Sequence, residues 1–164
     1  MTTQIVKNRD GAINDDNWAT PKWLYDTLDE AFHFDFDPYP LENDLSKWNG
    51  HTGKWGKSNF VNPPYNRFDK PKAIARAYCE WLAGNTCVLL IPAATGTKQF
   101  HKLLLPGAKC FSFKGWDNVN RPNFEKMILF MEGRIAFDGT LGNGEKSDGE
   151  KGKHDSMIII LTHV

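Results

Sequence analysis

No stretch limits this chain more than Ser58-Asn59-Phe60-Val61-Asn62-Pro63-Pro64-Tyr65. A short β-prone run ends abruptly in two prolines. Because prolines lack an amide hydrogen and have a fixed φ, neither a strand nor a helix can continue through them. The sequence predicts a stiff loop at the carboxyl end of a strand, where open α/β sheets place their ligands. That loop offers an amide side chain, carbonyls with no competing N–H at the prolines, and an aromatic ring. These groups suit a planar base that carries an NH2 group. Asn62 Oδ1 and the Pro63 carbonyl would accept its two hydrogens, Pro64 would stiffen the turn, and Tyr65 would stack on the ring.

An exocyclic amine on an adenine is a poor nucleophile, because its lone pair is delocalised into the ring. Two acceptors that draw the N–H bonds toward tetrahedral geometry localise that pair and aim it at an electrophile. No strong base is needed, since the nitrogen becomes acidic once alkylated. The chemistry is orientation plus electrostatics. As a bare tetrapeptide, Asn-Pro-Pro-Tyr is equally a rigid turn. It also occurs in methyltransferases acting on glutamine side chains or guanine amines, so the rest of the chain must decide.

The chain has 164 residues, the length of one domain with a proper core. Twenty basic and twenty acidic residues cancel, so any contact with nucleic acid has to come from a local patch. Cys79, Cys87 and Cys110 lie in or beside apolar runs and read as buried free thiols of a reducing cytoplasm. No CxxC or paired His/Cys spacing suggests a metal site. The start of the chain lacks an apolar signal core, and no run approaches a membrane span. The expectation is a soluble protein of the cytoplasm.

Taken in order, residues 1–17 are polar and read as a loose arm. Thr20 as N-cap and Pro21 as first helical residue open a helix that carries Leu24, Leu28 and Phe32 inward. Phe34-Asp35-Phe36-Asp37 alternates as a strand and ends at Pro38. Beyond the central loop, Pro71 opens a helix with Ile74, Ala77, Tyr78, Trp81 and Leu82 on one face, closed by Gly84. The apolar run 86–91 reads as a buried parallel strand. Residues 97–105 read as a short helix with Phe100, Leu103 and Leu104 inward. Strands are expected at 108–113, 126–131, 134–137 and 156–162. The expected fold is a three-layer α/β domain spanning residues 18–164, with a partly antiparallel carboxyl-terminal end of the sheet. Two insertions stand apart. One, 114–124, carries Lys114, Trp116, Asn118 and Arg121; the other, 138–155, holds five glycines and reads as mobile. Each is either a solvated hairpin loop or a contact to nucleic acid.

Six pieces then fall in register: Trp18-Ala19-Thr20-Pro21, Phe36-Asp37-Pro38, Asn62-Pro63-Pro64-Tyr65, Ile91-Pro92-Ala93-Ala94-Thr95 with Phe100, Gly133-Arg134-Ile135-Ala136-Phe137, and Asp155-Ser156-Met157-Ile158. Together, over roughly residues 18–162, the chain resembles the phage-type DNA N6-adenine methyltransferase family (Dam-like). The resemblance implies a reduced class I, Rossmann-like methyltransferase fold and S-adenosylmethionine (SAM) as methyl donor. It implies double-stranded DNA as substrate and, for a phage source, the masking of that DNA from host restriction. Asn62, Pro63, Pro64 and Tyr65 match the family's catalytic loop. Asp37 and Pro38 match its cofactor loop, with the carboxylate near the methionine end of SAM. Trp18, Thr20 and Pro21 match the segment that closes over the same end, where Asn62 also borders the cofactor.

Some features depart from that pattern. Tyr39 and Pro40 stand where many methyltransferases have a glycine turn. Only about twenty residues separate the first expected strand from the central one, so the strands that normally hold the SAM ribose and adenine are missing or vestigial. The segment with Glu42, Asn43, Asp44, Trp48 and Trp55 either substitutes for them or seals the sheet edge. The Pro92-Ala93-Ala94-Thr95 turn either shapes the target pocket or only turns the chain. Arg134 meets either a phosphate or an acid of the fold. With no separate recognition domain, DNA contacts fall to Lys114, Trp116, Asn118, Arg121 and Arg134. The rival readings are a methyltransferase for cytosine N4 or another amine, and a catalytically silent DNA- or SAM-binding protein.

Overall fold

A computed structural model describes residues 18–40, 49–113, 124–135, 138–140, 146–147 and 154–164. In chain order these form β1 (Trp18–Ala19), α1 (Lys22–Phe32), β2 (Ser58–Val61), α2 (Asp69–Leu82), β3 (Thr86–Pro92), a π-helix (Phe100–Leu104), β4 (Lys109–Phe113), β5 (Lys126–Met131), β6 (Asp138–Thr140), β7 (Lys146–Ser147) and β8 (Ser156–Leu161). Five strands make the main sheet in the order β2-β3-β8-β5-β4. β2 runs parallel to β3 and β4 parallel to β5, while β8 is antiparallel to both of its neighbours. The antiparallel strand therefore lies in the middle of the sheet rather than at an end. All six residues of β8 are buried. This matches its unbroken apolar run, since a strand covered on both faces has no polar alternation.

Alternate residues of the strands feed two cores. Val61, Cys87, Leu89, Ile91, Ile128 and Ile159 face α2 and the π-helix, packing with Ala73, Ile74, Phe100 and Leu104. Phe60, Val88, Leu90, Leu129, Ile158 and Ile160 face the other way and pack on Leu24 and Leu28 of α1. Helices thus cover both faces, the three-layer arrangement expected from the pattern. Each fully buried branched side chain contributes about 1.5–3 kcal/mol by leaving water.

Several elements differ from expectation. Pro21 has φ −55° and ψ 135°, outside the helix, so it occupies the N-cap position and makes no side-chain cap. Thr20 is then one residue too far back to reach the first helical amides. The expected strand at 34–37 reduces to one parallel bridge, Phe36 to Asn59. Asp35 N and Phe36 N both donate to the Ser58 carbonyl, and Phe60 N donates to the Phe36 carbonyl. α2 begins two residues before Pro71, because Asn66 Oδ1 accepts the Phe68 and Asp69 amides at 2.9 and 2.7 Å. Leu82, expected inward, is 66 % exposed at the last helical residue. The short helix after β3 has a π-turn. Arg134 and Ile135 are not in a strand. Within the segment read as a mobile loop, β6 and β7 pair with each other, and β6 pairs with β1. Of the cysteines only Cys87 is buried, whereas Cys79 and Cys110 are exposed. No helix among the described residues is long and apolar enough to cross a membrane. The expected arm at 1–17 lies outside the described residues.

One buried amide ties β2 to β3 and to the turn before β2. Asn59 has no exposed surface; its Oδ1 accepts the Gly56 amide at 2.8 Å. Its Nδ2 donates to the carbonyls of Gly56 (3.0 Å) and Thr86 (3.1 Å). Asn59→Ala leaves these backbone groups without partners in the core. The expected loss is about 2–4 kcal/mol, read as a fall of about 5–15 °C in the melting midpoint. An unchanged midpoint would show that the amide is not what fixes β2 against β3.

Candidate active site

Because Phe36, β2 and β3 are parallel and in register, their carboxyl ends leave the sheet at one edge. Asp37-Pro38, Asn62-Pro63-Pro64-Tyr65 and the turn after Pro92 therefore emerge side by side. The amino end of β8 reaches the same edge, where the Ala93 amide donates to the Asp155 carbonyl at 2.8 Å.

Past Val61, which faces α2, the pleat turns Asn62 toward α1. There its Nδ2 donates to Thr20 Oγ1 at 2.9 Å. Two residues 42 positions apart are thus held together, and the hydroxyl expected to cap a helix orients this amide instead. With the nitrogen engaged by Thr20, Oδ1 is the acceptor end of the Asn62 side chain. Pro63 is buried and Pro64 half-buried. The Asn66 amide closes back on the Pro64 carbonyl at 3.0 Å, which makes the loop compact.

Tyr65 is half-buried against the α1-side core, and its hydroxyl donates to the Leu90 carbonyl at 3.1 Å. Burial of that hydroxyl holds its pKa above the usual tyrosine range. The ring is therefore fixed at its far end, a constraint the sequence pattern did not contain.

Asp37 is half-buried as a residue, but its carboxyl group is enclosed. Burial raises its pKa from 3.8 to about 6, against the lowering effect of the Tyr39 amide, which donates to Oδ1 at 2.9 Å. Among the described residues it has no cationic partner. Its charge reaches Tyr25 of α1, whose hydroxyl pKa is raised by burial and then by Asp29, Asp37 and Asp26. Asp37, Asn62 and Thr20 accordingly share the α1 side of the sheet edge.

A polar strut joins the two loops, and the sequence reading missed it. Tyr39 Oη and His51 Nδ1 are 2.8 Å apart, and His51 Nε2 lies 2.9 Å from Asp69 Oδ1. Asp69 Oδ2 accepts Asn66 Nδ2 at 2.7 Å. Burial alone would raise the Asp69 carboxyl, but hydrogen bonds from His51 and Asn66 outweigh it and hold the pKa below the usual value. A Cβ on Gly50 would overlap the Pro38 carbonyl and the Tyr39 ring, so only glycine lets this loop seat His51 there. The Asn66-x-x-Asp69 capping spacing was legible in the sequence. The partnership of His51 with Tyr39 was not.

Other expected site residues fall differently. Trp55 is 5 % exposed, with Nε1 donating to the Gly50 carbonyl at 2.7 Å. It seals the core and is not an open platform for an adenine. Arg134 Nε meets an acid of the fold, Asp155 Oδ1, at 3.4 Å, and both residues are exposed. Pro38 is buried. Trp18 lies in β1, which is tied to β6. Lys114, Trp116, Asn118, Arg121, Glu42, Asn43, Asp44 and Trp48 lie outside the described residues.

Residues 9–164 match the family model for DNA N-6-adenine-methyltransferase (Dam). The chain belongs to the Dam family. It is therefore a DNA N6-adenine methyltransferase. Searches of curated proteins and of solved structures returned no match. In this Dam-family enzyme the Asn62 amide is pinned by the Thr20 hydroxyl of the amino-terminal segment.

The Asp37 carboxylate is expected to weaken the protein that carries it. Its folded pKa of about 6 lies above an unfolded value of about 3.9, so the folded state binds the proton more tightly. The associated stability is complete below about pH 4 and is lost as pH rises through about 6. Asn keeps the acceptor for the Tyr39 amide without the charge. Asp37→Asn is thus predicted to stabilise the free protein by about 1–2 kcal/mol at pH 7.5, after allowance for solvent screening, and by nothing at pH 4. Urea denaturation at both pH values measures it; equal stability at pH 7.5 would contradict the assignment.

Proposed function

We propose that this enzyme transfers a methyl group from S-adenosylmethionine to N6 of an adenine swung out of duplex DNA at a specific site. The observation that carries the cofactor assignment is Asp37, an enclosed carboxylate with no cationic partner among the described residues. An ammonium-bearing ligand matches that need, and Asp37 with the backbone of Pro38 would hold its methionine end. Thr20 and Pro21 border the same place through the Thr20–Asn62 hydrogen bond. Bound there, S-adenosylmethionine supplies an electrophilic methyl group.

The chain's own residues orient the target. Asn62 Oδ1 and the Pro63 carbonyl accept the two N6 hydrogens, drawing the amine toward tetrahedral geometry. Thr20 keeps the amide from rotating, so its oxygen and not its nitrogen is offered. The Tyr65 ring, anchored through Leu90, gives the base a face to stack on without having to be ordered at binding. No general base is assigned, since N6 becomes acidic once alkylated. Methylation of a carrier's own DNA in this way would mask it from restriction.

Digestion of treated DNA to nucleosides tests the reaction: N6-methyladenine is expected, and N4-methylcytosine would overturn the assignment. Asn62→Ala is predicted to lower methyl transfer by about 10²–10³-fold while the SAM dissociation constant changes less than about threefold. Full activity in that variant would contradict the proposed role. Tyr65→Phe should cost about 1 kcal/mol of stability through the lost Leu90 bond but retain most activity. Tyr65→Ala should lose most activity; equal losses in the two would argue against stacking.

A further inference from the structure

A second opening lies on the α2 side of the same sheet edge. It is a cleft of about 350 Å³ between the amino end of α2 and the π-helix. Ile74, Ile91 and Phe100 form its floor, and Arg67, Lys70 and Lys98 stand at its rim. Among the described residues no carboxylate lines it. Among the described residues none of these three cations forms an ion pair; Arg67 instead lies 4.8 Å from the centre of the Phe68 ring. That ring is 61 % exposed. The walls are tied together, because Gln99 Nε2 donates to the Pro71 carbonyl at 2.7 Å.

In a chain of formal net charge zero, three cations around one cleft with no ion pair among the described residues form a local positive field. That field disfavours the cationic methyl donor and favours a polyanion. An apolar trough rimmed by cations, beside an exposed aromatic with a guanidinium stacked on it, is the pattern that binds a nucleic-acid strand by phosphate contacts and base stacking. The cleft opens next to the Asn62 loop, since Arg67 and Lys70 follow Asn62 by only five and eight residues.

We infer that this cleft is a contact for the DNA strand: Arg67, Lys70 and Lys98 hold backbone phosphates near the target adenine, and the apolar floor takes a flanking nucleotide. The inference rests on DNA being the substrate, and it assigns to the described framework a contact the sequence alone placed on the 114–124 insertion and Arg134.

The test is duplex binding by fluorescence anisotropy across a salt series, without turnover. The variant is Arg67→Gln/Lys70→Gln/Lys98→Gln. As a control, Lys57→Gln/Lys109→Gln removes exposed charges at the amino ends of β2 and β4. The cleft variant should bind at least about tenfold more weakly near 0.1 M salt, with log K against log salt shallower by about 2–3. Its SAM affinity and melting midpoint should be unchanged. Wild-type affinity and slope in the cleft variant would overturn the inference, as would an equal loss in the control. If wild-type protein binds duplex but makes no N6-methyladenine, the proposed reaction fails, and the cleft assignment is decided by the variant's affinity and salt slope alone. If it methylates DNA and the cleft variant binds normally, only the cleft assignment fails.

Discussion

An enclosed carboxylate that has, among the described residues, only a backbone amide to solvate it is an unstable arrangement unless a cation arrives, and Asp37 is so placed. Its position follows from the parallel bridge that aligns Phe36 with β2, so the edge where Asp37 emerges is also where Asn62 emerges. Stability surrendered at such a point becomes binding energy for a cationic ligand. The rest of the framework keeps both groups at that edge.

Two sets of polar contacts do this. On the α1 side, Thr20 fixes the Asn62 amide and couples the amino-terminal segment to the loop after β2. On the α2 side, Tyr39, His51, Asp69 and Asn66 link the loop after Asp37 to the loop after Tyr65. A half-buried polar network of this kind holds its members in place when each has a partner. The effect here is that the loop after Asp37 is tied to the loop after Tyr65. The cation-rimmed cleft lies against this same loop, so a strand held there would be delivered to an already positioned acceptor.

Much of this was legible in the sequence. Buried strands such as β8 announce themselves as apolar runs, and Pro63 and Pro64 stop any regular element after β2. Asp37 and Asn62 stand at strand ends, which pattern alone locates. What the sequence hid was contact over long separations. Thr20 satisfies every local rule for a helix cap, yet the backbone of Pro21 sits outside the helix and frees the hydroxyl for Asn62. Trp55 looked available because its neighbours are polar and glycine-rich, while the fold folds it into the core beside Arg76. Two short strands, β6 and β7, lie in a glycine-rich segment where composition outweighs any periodic signal.

Calorimetry of SAM binding at pH 5.5, in buffers of different ionisation enthalpy, tests the central claim most directly. If Asp37 receives the ligand's cation, its pKa falls on binding and about three-quarters of a proton is released per SAM bound, with almost none at pH 7.5 and none in Asp37→Asn. Binding of SAM at pH 5.5 with no proton release, or with the same release in Asp37→Asn, would contradict the account.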